Sequence, residues 1–242
     1  VSSQAIDVLR KKGYKGETTI IPNGFNKEVF KRQFDEDLKK KLGLSKFVIG
    51  YVGNFTIQKG IYDLVEAFSK ITSPDVSLLM IGRGEEKEGI IKRIRELNLE
   101  NKVVIINHVE QVQLPKYMSC MDILVLPSIQ RKYAGSKLAK IFPFLQIPWA
   151  EQFGRVLVEA MACKVAVIGS DSGSIPDVVG NAGLIFKEND SEDLAEKLNY
   201  MINNGKFREK CIELGYERAY ERYTWDKVAL NYKKVWEKLL DC

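Results

Sequence analysis

Two glutamates, Glu151 and Glu159, stand eight residues apart in EQFGRVLVEAMAC (151–163), and the apolar residues around them recur at three- and four-residue intervals. Val156, Leu157, Ala160 and Met161 form the buried stripe of a predicted helix entered through Gln152, Phe153 and Gly154. Glu151 sits at its mouth and Glu159 two turns further on. Along such a helix the carboxylates lie on the order of 12 Å apart and roughly 80° around the axis. A hydrolytic acid/base pair needs its carboxyl groups about 5–9.5 Å apart, so this spacing suits two grips on one long ligand. A nucleotide sugar has that length. Its sugar would meet Glu151, its ribose Glu159, and its diphosphate the unpaired N–H groups of Phe153, Gly154, Arg155 and Val156, without a metal. The same spacing also fits an amphipathic helix whose two glutamates face water.

Other groups suited to phosphate chemistry follow apolar runs. GNFTIQKG (53–60) is a glycine-containing loop with Lys59 at its junction to a helix: Gly53 permits close backbone approach, and Lys59 supplies a point charge. IGRGEE (81–86) offers Gly82 and Arg83 after the next run, and NHVEQ (107–111) follows the third. His108 is the one histidine; no second ligand type is spaced with it, so it reads as an ordinary loop residue and not a metal ligand.

The elements that position these loops alternate. Apolar runs FVIGYVG (47–53), VSLLMIG (76–82), VVIIN (103–107), DILVLP (122–127), VAVIGS (165–170) and GLIF (183–186) interleave with predicted helices at 60–71, 87–97, 113–120 and 153–162. Three more helices, 191–203, 206–222 and 225–240, close the chain. This pattern predicts an α/β fold, a doubly wound Rossmann-like parallel sheet that binds ligands at the carboxyl ends of its strands. Ahead of it, Ser2 or Ser3 caps a helix reaching about Lys12, and TTIIPNG (18–24) reads as a short strand with an Asn-Gly turn.

Composition narrows the classes. The 242 residues are 45% hydrophobic and 29% charged, ordinary for a folded globular chain, and the net charge of +5 is spread along it, which argues against a dedicated nucleic-acid surface. Four scattered cysteines include no C-x-x-C, so neither a zinc site nor a disulfide framework is expected. No apolar run approaches the ~18 residues of a membrane span, and a cytoplasmic location is expected.

Preceded by the apolar strand 122–126 with Pro127-Ser128 and followed by VAVIGSDSGSIPDVV (165–179), the E-x7-E segment resembles the group 1 glycosyltransferases, family four of the retaining enzymes, over nearly the whole chain. The resemblance implies the carboxy-terminal, donor-binding half of a GT-B enzyme. Such an enzyme moves a sugar from a nucleotide diphosphate sugar to an acceptor hydroxyl and uses no cofactor. Glu151 and Lys59 take the catalytic roles. Gly53, Asn54, Gly82, Arg83, Val109, Phe153, Gly154, Arg155, Val156 and Glu159 join them around the donor, with Val109 matching the position that holds the nucleobase. The family's Gly-Arg…Lys-Gly loop keeps its lysine as Lys59 but has Asn54 in place of the arginine, and Arg83 is a candidate replacement. Lys164 and Ala166 depart from the family's usual Gly and Pro, which implies local repacking.

SSQAIDVLRKKG followed by IPNGFNKEVF resembles the passage between the family's two domains. It implies a remnant at 1–17, a nucleotide-sugar-binding domain at 18–224 and a terminal helix at 225–242 crossing toward an amino-terminal acceptor domain. The family's histidine beside the sugar lies in that domain. Between Ser128 and Glu151, where the family has a short connection, Arg131, Lys132, Lys137 and Lys140 accompany Phe142, Phe144 and Trp149. That mixture in 129–149 suits either packing on a domain or peripheral contact with an anionic membrane face. Two other functions fit the same fold: a GT-B sugar-nucleotide epimerase, and a non-catalytic sugar-nucleotide-binding module.

Overall fold

The computed structural model describes residues 3–133 and 147–240. Its centre is a sheet of six parallel strands: β1 (Phe47–Val52), β2 (Val76–Ile81), β3 (Val103–Ile106), β4 (Ile123–Leu126), β7 (Ala166–Ser170) and β8 (Gly183–Phe186), in the order β3-β2-β1-β4-β7-β8. A separate antiparallel hairpin, β5 (Arg131–Tyr133) and β6 (Ile147–Trp149), stands between β4 and the helix that follows.

The strands are continuous apolar runs because both faces are covered. Alternate residues divide between two cores. Val48, Leu79, Leu124 and Val167 face one, and Ile49, Leu78, Ile123 and Ile168 face the other. The first core is closed by α6 (Arg155–Ala162), α7 (Ile175–Val179) and the later part of α9 (Gly205–Arg222) through Leu157, Met161, Val178 and Ala219. The second is closed by α3 (Ile61–Ser69), α4 (Lys87–Glu96) and α8 (Ser191–Asn203) through Leu64, Phe68, Ile90 and Leu198. The remaining helices are α1 (Ser3–Lys11), α2 (Glu36–Lys41), α5 (Leu114–Met118) and α10 (Trp225–Leu240).

Successive strands run outward from β1 through β2 to β3, then outward again from β4 through β7 to β8. The connections therefore diverge between β1 and β4, and a crevice opens at their carboxyl ends. The loops carrying Lys59 and Ser128 flank it.

Three expectations are corrected. Residues 18–24 form no strand: Pro22 lacks an N–H to pair, Gly24 lies against the ring of Trp225, and only the following Phe25 makes a bridge, to Thr224. The helix expected from 153 begins at Arg155, with Gly154 as a left-handed cap at φ +70°, so Glu151 stands in the loop before it. Helical spacing therefore does not relate Glu151 to Glu159. Finally, α2 and α7 are absent from the sequence reading. At six and five residues they are too short to show a helical period, and α2 owes its start to Asp35, whose carboxylate accepts from Leu38 N at 2.9 Å.

Helix α10 begins after Thr224, whose hydroxyl caps Lys227 N, and buries only Val228. Trp225, Tyr232, Trp236 and Leu239 remain exposed along it.

Candidate functional site

The loop after β1 is fitted between its neighbours by backbone contacts. Gly53 N donates to Ile81 O at 3.0 Å, Phe55 N to Arg83 O at 2.9 Å, and Glu86 N back to Phe55 O at 3.0 Å. Gly82 must be glycine here. Its φ is +158°, and a Cβ would lie 1.8 Å from Gly53 O. On the other side Ile129 N donates to Gln58 O at 2.9 Å, and Gly60, at φ +61°, leaves 1.8 Å between a would-be Cβ and Pro127 O. Lys59 is thus delivered to the end of β4 by the docking of one loop on the next.

There its ammonium meets Glu151. Lys59 Nζ lies 2.6 Å from Glu151 Oε2, and the hydroxyl of the fully buried Ser128 donates to the same oxygen at 2.8 Å. Ser128 is fixed in turn by Ser170, whose hydroxyl donates to Ser128 O. The Glu151 backbone is clamped as well: its carbonyl accepts from Ser174 N at 2.9 Å, and Gly173, at φ +60°, lets that loop cross it. The side chains of Lys59 and Glu151 are only 21% and 13% exposed, so the pair is mostly covered and partly open. Glu151 Cγ would be 3.8 Å from a Cβ on Gly154, which puts the carboxylate beside the start of α6.

Beneath the pair, Tyr51 donates its hydroxyl to Asn54 O at 2.8 Å. Burial, with the Glu151 charge second, holds its phenol well above the usual range and keeps it neutral.

A groove of about 230 Å³ lies at the carboxyl ends of β1, β2 and β3, lined by Gly53, Asn54, Gly82, Arg83, His108 and Val109 among others. Arg83 is exposed and, among the described residues, has no ion partner. His108 is exposed at the rim. Among the described residues, no group of three or more His, Cys, Asp and Glu is gathered for a metal.

Glu159 is elsewhere in character. It is 6% exposed, so it does not face water, and its Oε1 lies 3.1 Å from Nε of Arg155, one turn earlier. Burial raises its carboxyl above the ordinary range, while the Arg155 charge and hydrogen bond oppose the rise. Arg155 therefore turns back onto its own helix. Phe153 points inward, edge-on to Tyr223 at 5.5 Å, Gly154 beside it is also buried, and Val156 is half-buried. Phe153 also borders a second groove of about 600 Å³, between Pro22, Ser174, Arg222 and Lys227.

The sequence reading missed Ser128 and Trp149 as site residues. Ser128 is signalled by standing two residues past β4, in the Pro127-Ser128 pair that belongs to the resemblance. Trp149, in a stretch read as packing on a domain or touching a membrane face, places its ring 5.3 Å from Lys59 Nζ. Phe142, Phe144, Lys137 and Lys140 of the same stretch lie outside the described residues.

A six-stranded Rossmann-like sheet thus brings a cation and a carboxylate together at its switch point, where open α/β sheets bind their ligands. The chain belongs to the group 1 glycosyl transferases, whose family model matches residues 31–218. It is 28% identical over 216 residues to N-acetyl-alpha-D-glucosaminyl L-malate synthase of Bacillus anthracis, covering 87% of this chain and 51% of the relative. It is 30% identical over 209 residues to the capsular polysaccharide biosynthesis glycosyltransferase CapM of Staphylococcus aureus, covering 84% of this chain and 47% of that protein. The chain thus spans about half the length of the curated relatives it matches. Among solved structures, sucrose-phosphate synthase of Thermosynechococcus elongatus superposes with a TM-score of 0.81 at 26% identity, over 99% of this chain and 57% of that one. Anabaena HepE, solved with UDP-glucose, gives 0.79 at 23% identity, over 100% and 62%. The fold is the Rossmann-like one of GT-B glycosyltransferases.

Proposed function

We propose that this chain is the donor-binding half of a retaining glycosyltransferase that moves a sugar from a nucleoside diphosphate sugar to an acceptor hydroxyl. The observation that carries the reading is the meeting of Lys59 and Glu151, 2.6 Å apart, at the start of α6 in the β1–β4 crevice. An ammonium and a helix amino terminus together favour the departing diphosphate, and they do so most where charge develops. No divalent cation is required for that role. Glu151, held by Lys59 and Ser128 through one oxygen, keeps Oε1 for a sugar hydroxyl. The groove along Gly53, Asn54, Gly82, Arg83, His108 and Val109 takes the nucleoside, with Arg83 supplying the charge that Asn54 does not. Glu159 meets the ribose from the side of α6 that Arg155 covers.

The bound UDP-glucose of HepE and the names of the longer relatives support this reading. In it, a second domain holds the acceptor within attacking distance of the anomeric carbon, positioning worth roughly 7–11 kcal/mol of barrier. The chain alone binds donor and does not transfer.

The test is a thermal-shift panel of UDP, GDP and ADP at one common concentration, where a ligand present at 100 times its Kd adds about 2.7 kcal/mol of stability. One diphosphate shifting the melting temperature, its nucleoside much less, is the expected result. No shift with any of the three removes the donor assignment. Sugar transfer by the full-length protein then separates a transferase from a binding module.

A further inference from the structure

We propose that Trp149 is a positioning residue for Lys59, holding its ammonium against Glu151 with the phosphate-facing flank open; this rests on the assignment of Lys59 to the donor diphosphate. Lysine is a point charge on a flexible four-carbon stem, and an unrestrained stem loses roughly 2 kcal/mol of rotamer freedom when it is fixed. Restraint supplied before the ligand arrives removes that cost from binding. Two groups restrain Lys59. Glu151 takes one of its three N–H donors at 2.6 Å, and the ring of Trp149 lies 5.3 Å from Nζ, within the reach of a cation–π attraction. Among the described residues no other acceptor meets Nζ, so two donors are left for phosphate oxygens.

The chemistry of the second group matters. With Glu151 already paired to Lys59, a second carboxylate here would make the cluster net negative and repel phosphate, whereas an aromatic face attracts the ammonium and adds no charge. The ring also covers one side of the pair, and charge-assisted bonds strengthen where water is excluded.

Trp149 is itself well held. It ends β6, opposite Arg131 in the hairpin register, and two residues later the chain is clamped by Gly173 and Ser174 at Glu151. On the other strand, Gln130 N donates to Glu188 Oε2 at 2.6 Å, tying the base of the hairpin to the loop after β8. The hairpin stands where the resemblance implies a short connection, so its last residue adds a wall to the phosphate subsite that the family pattern does not contain.

The test titrates inorganic pyrophosphate, UDP and uridine calorimetrically against the wild type, W149L, W149F, K59A and the W149L/K59A double variant. W149L is expected to weaken pyrophosphate and UDP about three- to thirtyfold, to leave uridine unchanged, and to be largely rescued as W149F. In the K59A background W149L should have no further effect, since the ring then has no cation to hold. Undiminished pyrophosphate affinity in W149L overturns the proposal, as does an equal loss for uridine or a loss that persists in K59A. If the wild type binds neither pyrophosphate nor UDP, the diphosphate assignment itself fails; if it binds them and only the W149L result is negative, that assignment stands and Trp149 alone is wrong.

Discussion

Glu151 and Glu159 belong to one motif, yet their surroundings are built in opposite ways. Glu151 lies in a loop, and its partners come from far along the chain: Lys59 from the loop after β1, Ser128 from the end of β4, Ser174 from the loop after β7. Glu159 lies inside α6, and its partner Arg155 is one turn away on the same helix. The first carboxylate is thus held by tertiary docking and the second by local periodicity. The difference teaches where each is vulnerable: Glu151 is lost when loops separate, Glu159 only when its own helix or its burial changes.

The largest effect should come from breaking the docking itself. Gly60→Ala forces a side chain into the left-handed region and against Pro127 O, a backbone atom, and should cost about 2–4 kcal/mol of stability in urea unfolding. Gly154→Ala is the sharpening control. Its φ is also positive, but the nearest contact is the Leu126 side chain at 2.7 Å, which can move, so the loss should be smaller. An equal loss at both positions would remove the distinction.

Next in size is Lys59→Ala. A charge-assisted phosphate contact is worth roughly 1.5–3 kcal/mol, so nucleoside diphosphate affinity should fall about ten- to 150-fold in calorimetric titration with little change for the nucleoside. Parallel losses for both ligands would refute the role given to Lys59. Glu159→Ala should act on the other end of the ligand: about tenfold on nucleotides and almost nothing on free pyrophosphate. An unchanged nucleotide Kd would leave Glu159 as a buried partner of Arg155 alone.

The smallest effect is a pH dependence. Burial raises the Glu159 carboxyl above its ordinary 4.5, so the folded chain holds that proton more firmly than the unfolded chain does. Its contribution is fully present below the ordinary value and is lost as pH rises through the folded one. Glu159→Gln carries no such titration. The stability of E159Q relative to wild type should therefore increase from about pH 4 to about pH 7, read from urea midpoints. A difference independent of pH would mean that Arg155 already cancels the burial.

The sheet was legible because β1, β2, β4 and β7 are unbroken apolar runs, and a run buried on both faces needs no partner information to be recognised. The long helices α8, α9 and α10 were equally plain from their periodicity. Legibility failed where hydrogen bonds to other elements decide the outcome. Residues 18–24 have strand composition but find no strand edge, and α2 and α7 rest on a cap or a proline instead of a period.

Within the candidate site, residue types raised Lys59, Glu151 and the glycine loops as candidates, and the resemblance carried by the flanking segments singled them out. Their relation to one another was not in the sequence. Whether Glu151 belonged to a helix depended on Gly154 turning left-handed over Leu126, and the 2.6 Å contact between Glu151 and Lys59 depended on two loops packing without a Cβ at Gly60. Trp149 is the clearest case. Its neighbours in the chain left a choice between domain packing and a lipid surface, whereas its neighbour in space is the ammonium of Lys59, because a hairpin folds back at the end of β4. Spacing along the chain reveals what one element can present; which elements face each other is decided by burial of both sheet faces and by the glycines that let loops touch.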